Sequence, residues 1–342
     1  MTPLPLLFNP HSGPAGKDPD ALMRRLPPAF RARIQPIAYG PPWDFSPWIA
    51  QAIQAEGPLL VWGGDGTIHH AGRALVAAGC PVPLGAIPGG SGNGLVRGLR
   101  TPLEPAGAVQ RLLEGRELVM DLPRLDGEPF LNLCGTGFEA ALAHAFHGGT
   151  QRGFVGYARL ALSLWRDHPT LALDWAAEGT EIPPPTSRLD RLREAGAGAQ
   201  AHRRAKRDDP KGAALEVWRE AWTGPSPDLP KTAWSLCCAN LPQYGSGLWI
   251  APGADPTDGA LQWATLNRPG VLDLITQLPQ LFREGGHTHL RSEGRFQRAT
   301  LRLDHPEPWH MDGEPYPARD RAELTVEPRA FRMQVTEACP WR

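Results

Sequence analysis

Short apolar runs separated by amphipathic segments dominate the first third of the chain. Residues 4–8 form one such run, which Asn9-Pro10 ends, and residues 34–39, 59–62 and 83–87 form three more. Between them, residues 21–26, 49–56 and 68–78 carry helical patterning. Brief strands alternating with helices predict a parallel sheet with helices on its faces. Beyond about Leu122 the pattern changes. Residues 130–134, 171–176, 233–239, 259–266, 299–303 and 322–326 read as strands, and only 155–165 and 271–282 read clearly as helices. That part predicts a mainly antiparallel β domain.

Length changes this picture little: 342 residues suit two domains. A formal net charge of -1 argues against a nucleic-acid partner. Cys80, Cys134, Cys237, Cys238 and Cys339 form no Cys-x-x-Cys pair, which suggests reduced thiols in a cytoplasmic protein. No apolar run approaches the roughly 20 residues that span a bilayer, so no transmembrane segment is expected and membrane contact would be peripheral. Residues 181–230 read as a polar, Pro- and Gly-rich insertion. Within it, residues 188–211 hold eight Lys/Arg against four Asp/Glu, which fits either a solvated loop or a patch for anionic lipid headgroups.

The chemistry concentrates in two glycine-rich loops. Leu59-Leu60-Val61-Trp62 runs into Gly63-Gly64-Asp65-Gly66-Thr67 and then a helix. Glycines there let backbone N–H groups approach an anion, and the helix N-terminus adds partial positive charge. A carboxylate among phosphates implies Mg²⁺ or a hydroxyl proton to hold. A tight turn with Asp65 as a helix cap would explain this loop alone, but a second follows strand 83–87 in Pro88-Gly89-Gly90-Ser91-Gly92-Asn93-Gly94. Two such loops at the carboxyl ends of successive strands mark a nucleotide crevice. Neither fits the Walker pattern, and no dinucleotide fingerprint follows the first strand. Asn9-Pro10-His11-Ser12-Gly13 would sit at the same edge, although it is also ordinary turn chemistry.

In order along nearly the whole chain, these segments resemble the diacylglycerol kinase catalytic-domain family, which includes sphingosine kinases and small bacterial lipid kinases. Asn132-Leu133-Cys134-Gly135-Thr136-Gly137-Phe138-Glu139, residues 152–157, residues 240–247, Ile250-Ala251-Pro252, Asp258-Gly259 and Asp312-Gly313-Glu314 extend the match. The resemblance implies an ATP-binding α/β domain over residues 1–122, to which about 313–342 return. It implies a lipid-binding β-sandwich over 123–312, with the active site between the two. It implies transfer of the ATP γ-phosphate to a lipid hydroxyl at a membrane surface, on a cytoplasmic, peripherally associated enzyme. This sequence departs from many bacterial members at Asn93-Gly94 and at His69-His70, where they carry Asn-Asp and Asn-Glu.

Carried over residue by residue, Asn9, Ser12, Gly63, Gly64, Asp65, Gly66, Thr67, Ile68, His69, Gly90, Ser91, Gly92 and Asn93 would bind the nucleotide. Asp65 would hold the nucleotide Mg²⁺ or its water shell. Glu314 or Asp312 would accept the lipid proton, with Glu314 preferred from the resemblance alone. A structural Mg²⁺ would use Asp258 and the carbonyls of Asp255 and Ala260. His69 and His70 point about 100° apart on a helix and cannot share a metal on one face. An NAD kinase-like or phosphofructokinase-like enzyme and a catalytically silent lipid-binding protein stand as alternatives. Which lipid is phosphorylated is open.

Overall fold

The computed structural model describes residues 2–10, 18–147, 154–179 and 229–342. Through the first half the strands are β1 (Leu4–Phe8), β2 (Ile34–Ala38), β3 (Leu59–Gly63), β4 (Leu84–Pro88), β5 (Arg116–Leu125), β6 (Glu128–Pro129) and β7 (Leu133–Gly137). Then come β8 (Leu171–Glu178), β9 (Thr232–Ala233), β10 (Ser235–Ala239), β11 (Gln243–Gly245) and β12 (Leu248–Trp249). The series ends with β13 (Leu261–Leu266), β14 (Arg291–Phe296), β15 (Arg298–Met311) and β16 (Glu314–Val335). The helices are α1 (Pro19–Arg25), α2 (Pro28–Arg31), α3 (Ser46–Gln54), α4 (Asp65–Ala77), α5 (Gly94–Gly98) and α6 (Pro105–Glu114), then α7 (Phe138–His147), α8 (Phe154–Trp165) and α9 (Val271–Thr276).

Strands β2, β1, β3 and β4 pair in parallel in that spatial order. Their apolar runs are continuous because both faces are covered. Leu7, Leu59, Val61, Leu84 and Ala86 face α3, α4 and α5. The alternate residues Leu6, Phe8, Leu60, Trp62 and Ile87 pack with Leu22 of α1 and Val109 and Leu112 of α6.

Beyond β5 the pairing becomes antiparallel: β14 with β13, β13 with β10, β10 with β7, and β7 with β15. The expected strand at 130–134 starts only at Leu133. The N–H groups of Leu131, Asn132 and Leu133 are taken by the Asp312 carboxylate, so the segment before β7 is held by a side chain rather than by a ladder. The expected helix at 271–282 breaks after Thr276 into a 3₁₀ turn, Leu278–Phe282, whose Pro279 lacks the N–H that an α-helix would need.

One strand joins the two halves. β16 pairs antiparallel with β15 and with β5 along its length, and Met333 meets Leu84 of β4 in parallel. Its Ala322 and Leu324 belong to the core of the antiparallel part. Its Phe331, Met333 and Val335 belong to the core of the parallel part. Between them the register shifts at Glu327/Phe331, and Arg329 takes φ 51°. The Asp121 carboxylate accepts the Arg329 N–H at 2.8 Å and the Gly259 N–H at 2.7 Å. The change of character near Asp121-Leu122 therefore lies inside β5 and not in a linker.

Candidate active site

Both glycine loops leave the carboxyl ends of adjacent parallel strands, β3 and β4, as a nucleotide crevice requires. Their backbones touch: a Cβ on Gly90 would lie 2.7 Å from the Gly64 Cα. Asp65 ties the loops together, its two oxygens accepting the N–H of Asn93 at 2.8 Å and of Gly94 at 2.7 Å. Burial pushes the Asp65 carboxyl up to about 6 against the lowering effect of those two N–H groups. Asn93 adopts the left-handed conformation, and its side chain is spent on the loop. Oδ1 accepts the Gly89 and Gly90 N–H groups, and Nδ2 donates to the Gly90 carbonyl.

The segment after β10 closes over the second loop. Asn240 Nδ2 donates to the carbonyls of Asp121 and Leu131, Asn132 Nδ2 donates to Gln243, and the Ser246 N–H donates to Gly92. The run at residues 240–247 thus acts as a strap from the β part onto the second glycine loop.

The two acidic residues of the 312–314 turn differ sharply. Asp312 is buried and accepts four hydrogen bonds, from the N–H groups of Leu131, Asn132 and Leu133 and from His69 Nδ1 at 2.8 Å. Burial works to raise its carboxyl, but the His69 ring and the backbone donors outweigh that and hold it below the ordinary carboxylate range. Glu314, half-buried, lies directly over the first glycine loop. A Cβ on Gly66 would collide with Glu314 Oε1.

A cavity of about 750 Å³ opens from this point. Gly64, Asp65, Gly66, Gly90, Ser91, Gly92, Asp312 and Glu314 line one end. The rest of its wall is mostly apolar, from Phe138, Leu142, Trp165, Trp234, Leu278 and Phe282 among others. Gly63, Thr67, Ile68, His69, Asn93 and Asn9 do not line it. Thr67 packs beneath Gly63, Ile68 belongs to the core, and His69 is bound to Asp312. His70 stacks on Trp43 at 5.0 Å between ring centroids. The His69–Asp312 pair was not foreseen, because its partners stand 243 positions apart. Ser12 and the basic stretch 188–211 lie outside the described residues.

Asp258, Asp255 and Ala260 come together near Asp121. Asp258 accepts the Ala260 N–H at 3.0 Å and pairs with Arg295 at 3.1 Å. Burial pushes the Asp258 carboxyl up to about 6. Arg295 opposes that rise, and Asp255 and Asp121 add to it. Among the described residues no three His, Cys, Asp or Glu side chains form a metal cage, so a cation here would draw on backbone carbonyls. Hard oxygen donors with surplus negative charge fit a divalent ion such as Mg²⁺.

Residues 3–125 match the family model described as diacylglycerol kinase catalytic domain. Residues 227–335 match the YegS C-terminal NAD kinase beta sandwich-like domain. The "Probable lipid kinase YegS-like" protein of Pseudomonas fluorescens is 26% identical over 283 residues, which is 82% of this chain and 78% of that one. The protein of the same name from Klebsiella pneumoniae is 33% identical over 93 residues, covering 27% of this chain and 31% of that one. A crystal structure of a diacylglycerol kinase from Bacillus anthracis superimposes with a TM-score of 0.66 at 16% identity over 98% of each chain, a likeness of fold. The two family models lie in sequence order on this fold, so residues 3–125 are similar to a diacylglycerol kinase catalytic domain and residues 227–335 to the YegS C-terminal domain.

Proposed function

We propose that the protein transfers the γ-phosphate of ATP to a hydroxyl of a membrane lipid. The observation that carries this reading is the single cavity in which Glu314 lies over Gly66, with two glycine loops at one end and an apolar wall beyond. The glycine loops offer close backbone approach at the phosphate end, and the apolar wall takes the acyl chain. An NAD kinase-like reading would call for a polar acceptor pocket, and this wall is not one.

In the step itself the lipid oxygen bonds to the γ-phosphorus as the bond from phosphorus to the bridging oxygen breaks. The electron pair leaves with ADP, and Glu314 takes the hydroxyl proton. Four donors already engage the Asp312 carboxylate, which favours Glu314 as the base and gives Asp312 the role of holding the turn that carries it. Asp65 latches the two loops and faces the cavity where nucleotide Mg²⁺ would lie, an ion that neutralises phosphate charge when bound. A structural Mg²⁺ would be held by Asp258 and the carbonyls of Asp255 and Ala260.

The cavity mouth supports peripheral contact with a lipid surface. Leu162 of α8 and Phe282 line the cavity and are also exposed. Val271, Leu272 and Ile275 of α9 are exposed by 70–72%. Among the described residues no helix is long and apolar enough to cross a membrane. The decisive experiment incubates the protein with ATP, Mg²⁺ and a total lipid extract, followed by mass spectrometry. New lipid phosphomonoesters are expected. Phosphorylated NAD with no lipid product would overturn the reading.

A further inference from the structure

Of the four donors that meet the Asp312 carboxylate, one comes from the other half of the molecule. The N–H groups of Leu131, Asn132 and Leu133 belong to the segment that leads into β7. The fourth donor, His69 Nδ1 at 2.8 Å, stands on α4, the helix that begins at the first glycine loop. An ionised carboxylate only accepts, so Nδ1 carries the proton whether the ring is neutral or charged. Both side chains are buried, so salt screens the contact little.

One turn of α4 gathers three contacts. Asp65, its first residue, latches the two glycine loops. Gly66, the next, lies beneath Glu314, whose Oε1 a Cβ there would strike. His69 stands one turn on, four residues after Asp65 and three after Gly66, on the same side of the helix. The turn that carries Glu314 is as short as a hairpin allows. Met311 pairs with Glu314, and Asp312 and Gly313 take φ 52° and 86°, as in a two-residue loop whose central residues are both left-handed. No slack separates the anchored Asp312 from Glu314. The position of α4 therefore passes, through one hydrogen bond and a two-residue turn, to the residue proposed to take the proton.

We infer that His69 is a positioning residue for phosphoryl transfer: by holding Asp312 it keeps the Glu314 carboxylate over the first glycine loop, in register with the phosphate that the loops would hold. This rests on the lipid-kinase reading above. His69 does not line the cavity and acts only through Glu314. Misplacing by about 1 Å a group that must meet a reacting atom costs up to about 10²-fold in rate. A buried hydrogen bond with no such duty would contribute to stability alone.

The test is a double-variant cycle on lipid phosphorylation. His69→Leu should lower kcat about 10–100-fold, with ATP affinity and lipid KM near wild type. His69→Asn, whose amide N–H takes the place of Nδ1–H, should recover most of that loss. His69→Leu combined with Glu314→Gln should be no slower than Glu314→Gln alone, because a misplaced base and a missing base fail in the same way. His69→Gln keeps a donor on a longer, flexible arm, and it carries the cycle if His69→Leu fails to fold. Losses that multiply in the double variant, an unchanged kcat in His69→Leu, or a fall in ATP affinity that matches the fall in kcat would overturn the inference. If the wild type phosphorylates no lipid, the kinase reading falls, and the pair is judged on amide hydrogen exchange in the free protein. Faster exchange at Gly313 and Glu314 in His69→Leu than in wild type and His69→Asn upholds it, and equal exchange overturns it.

Discussion

Glu314 and Asp312 share a turn, yet their surroundings differ, and the proposed mechanism gives them opposite duties. Glu314→Gln should slow phosphoryl transfer about 10²–10⁴-fold, as general-base removal does, with Tm and both KM values near wild type. Asp312→Asn should act through structure. An amide there turns its NH₂ toward backbone donors, at about 1–3 kcal/mol for each buried donor left unpaired. Lower Tm in Asp312→Asn but not in Glu314→Gln is the expected contrast, read by calorimetry beside single-turnover kinetics. Wild-type turnover in Glu314→Gln would remove it as the base.

Asp65 adds a pH dependence at the same scale. Its folded value of about 6 stands above the ordinary 3.8, so the folded chain holds this proton more tightly than the unfolded chain does. The stability it contributes is present below about 4 and is lost as pH climbs through about 6. Function runs the other way, because the ionised carboxylate accepts both loop N–H groups more strongly than the protonated one does. Nucleotide kcat/KM should therefore fall as pH drops through about 6, while the Asp65 contribution to stability, read as the melting difference between wild type and Asp65→Asn, shows the opposite trend. A flat profile for ATP binding between pH 5 and 7 would mean that the latch is not needed.

At the scale of elements, the glycine loops proposed to hold phosphate depend on backbone closeness. Gly90→Ala places its Cβ 2.7 Å from the Gly64 Cα, where only backbone can yield. ATP affinity should drop in calorimetric titration, with lipid binding little affected. Unchanged ATP affinity would place the nucleotide elsewhere. The elements that build this region were legible because β1, β3 and β4 are buried on both faces and read as unbroken apolar runs. β14 was not: Arg-Ser-Glu-Gly-Arg-Phe buries only Gly294 and Phe296, and its strand state comes from pairing with β13. α6 was overlooked although Ala106, Val109 and Leu112 keep helical spacing behind Pro105. The glycine loops were legible as local motifs. The His69–Asp312 pair was not, since it joins residues 243 positions apart.

At the scale of the whole molecule, α9 places Leu274 on the cavity wall and leaves Val271, Leu272 and Ile275 exposed, an arrangement that fits the proposed contact with a lipid surface. Replacing Leu272 and Ile275 together by Ser should weaken vesicle binding while sparing turnover of a lipid presented in detergent micelles. Equal vesicle sedimentation of variant and wild type would leave α9 without that duty. The Asp121, Asp255 and Asp258 group makes a separate expectation. Mg²⁺ should raise Tm in the wild type, and the increase should shrink in Asp258→Asn; a Tm indifferent to Mg²⁺ in both proteins would count against a structural ion.

The shared strand β16 carries an arithmetic constraint. Even-numbered Ala322 and Leu324 serve one core, and odd-numbered Phe331, Met333 and Val335 serve the other. Its partner β5 divides in the same way, with Leu118, Met120 and Leu122 against Leu125. Across the irregularity, Glu327 pairs with Leu122 and Phe331 with Met120, four steps on one strand against two on the other. An even surplus leaves the alternation intact on both sides, so the two cores stay in phase although the ladder is interrupted. Removing Arg329 alone would make the surplus odd and turn Phe331, Met333 and Val335 away from their core. Removing Pro328 and Arg329 together would keep the count even, and that longer deletion should be the less damaging of the two.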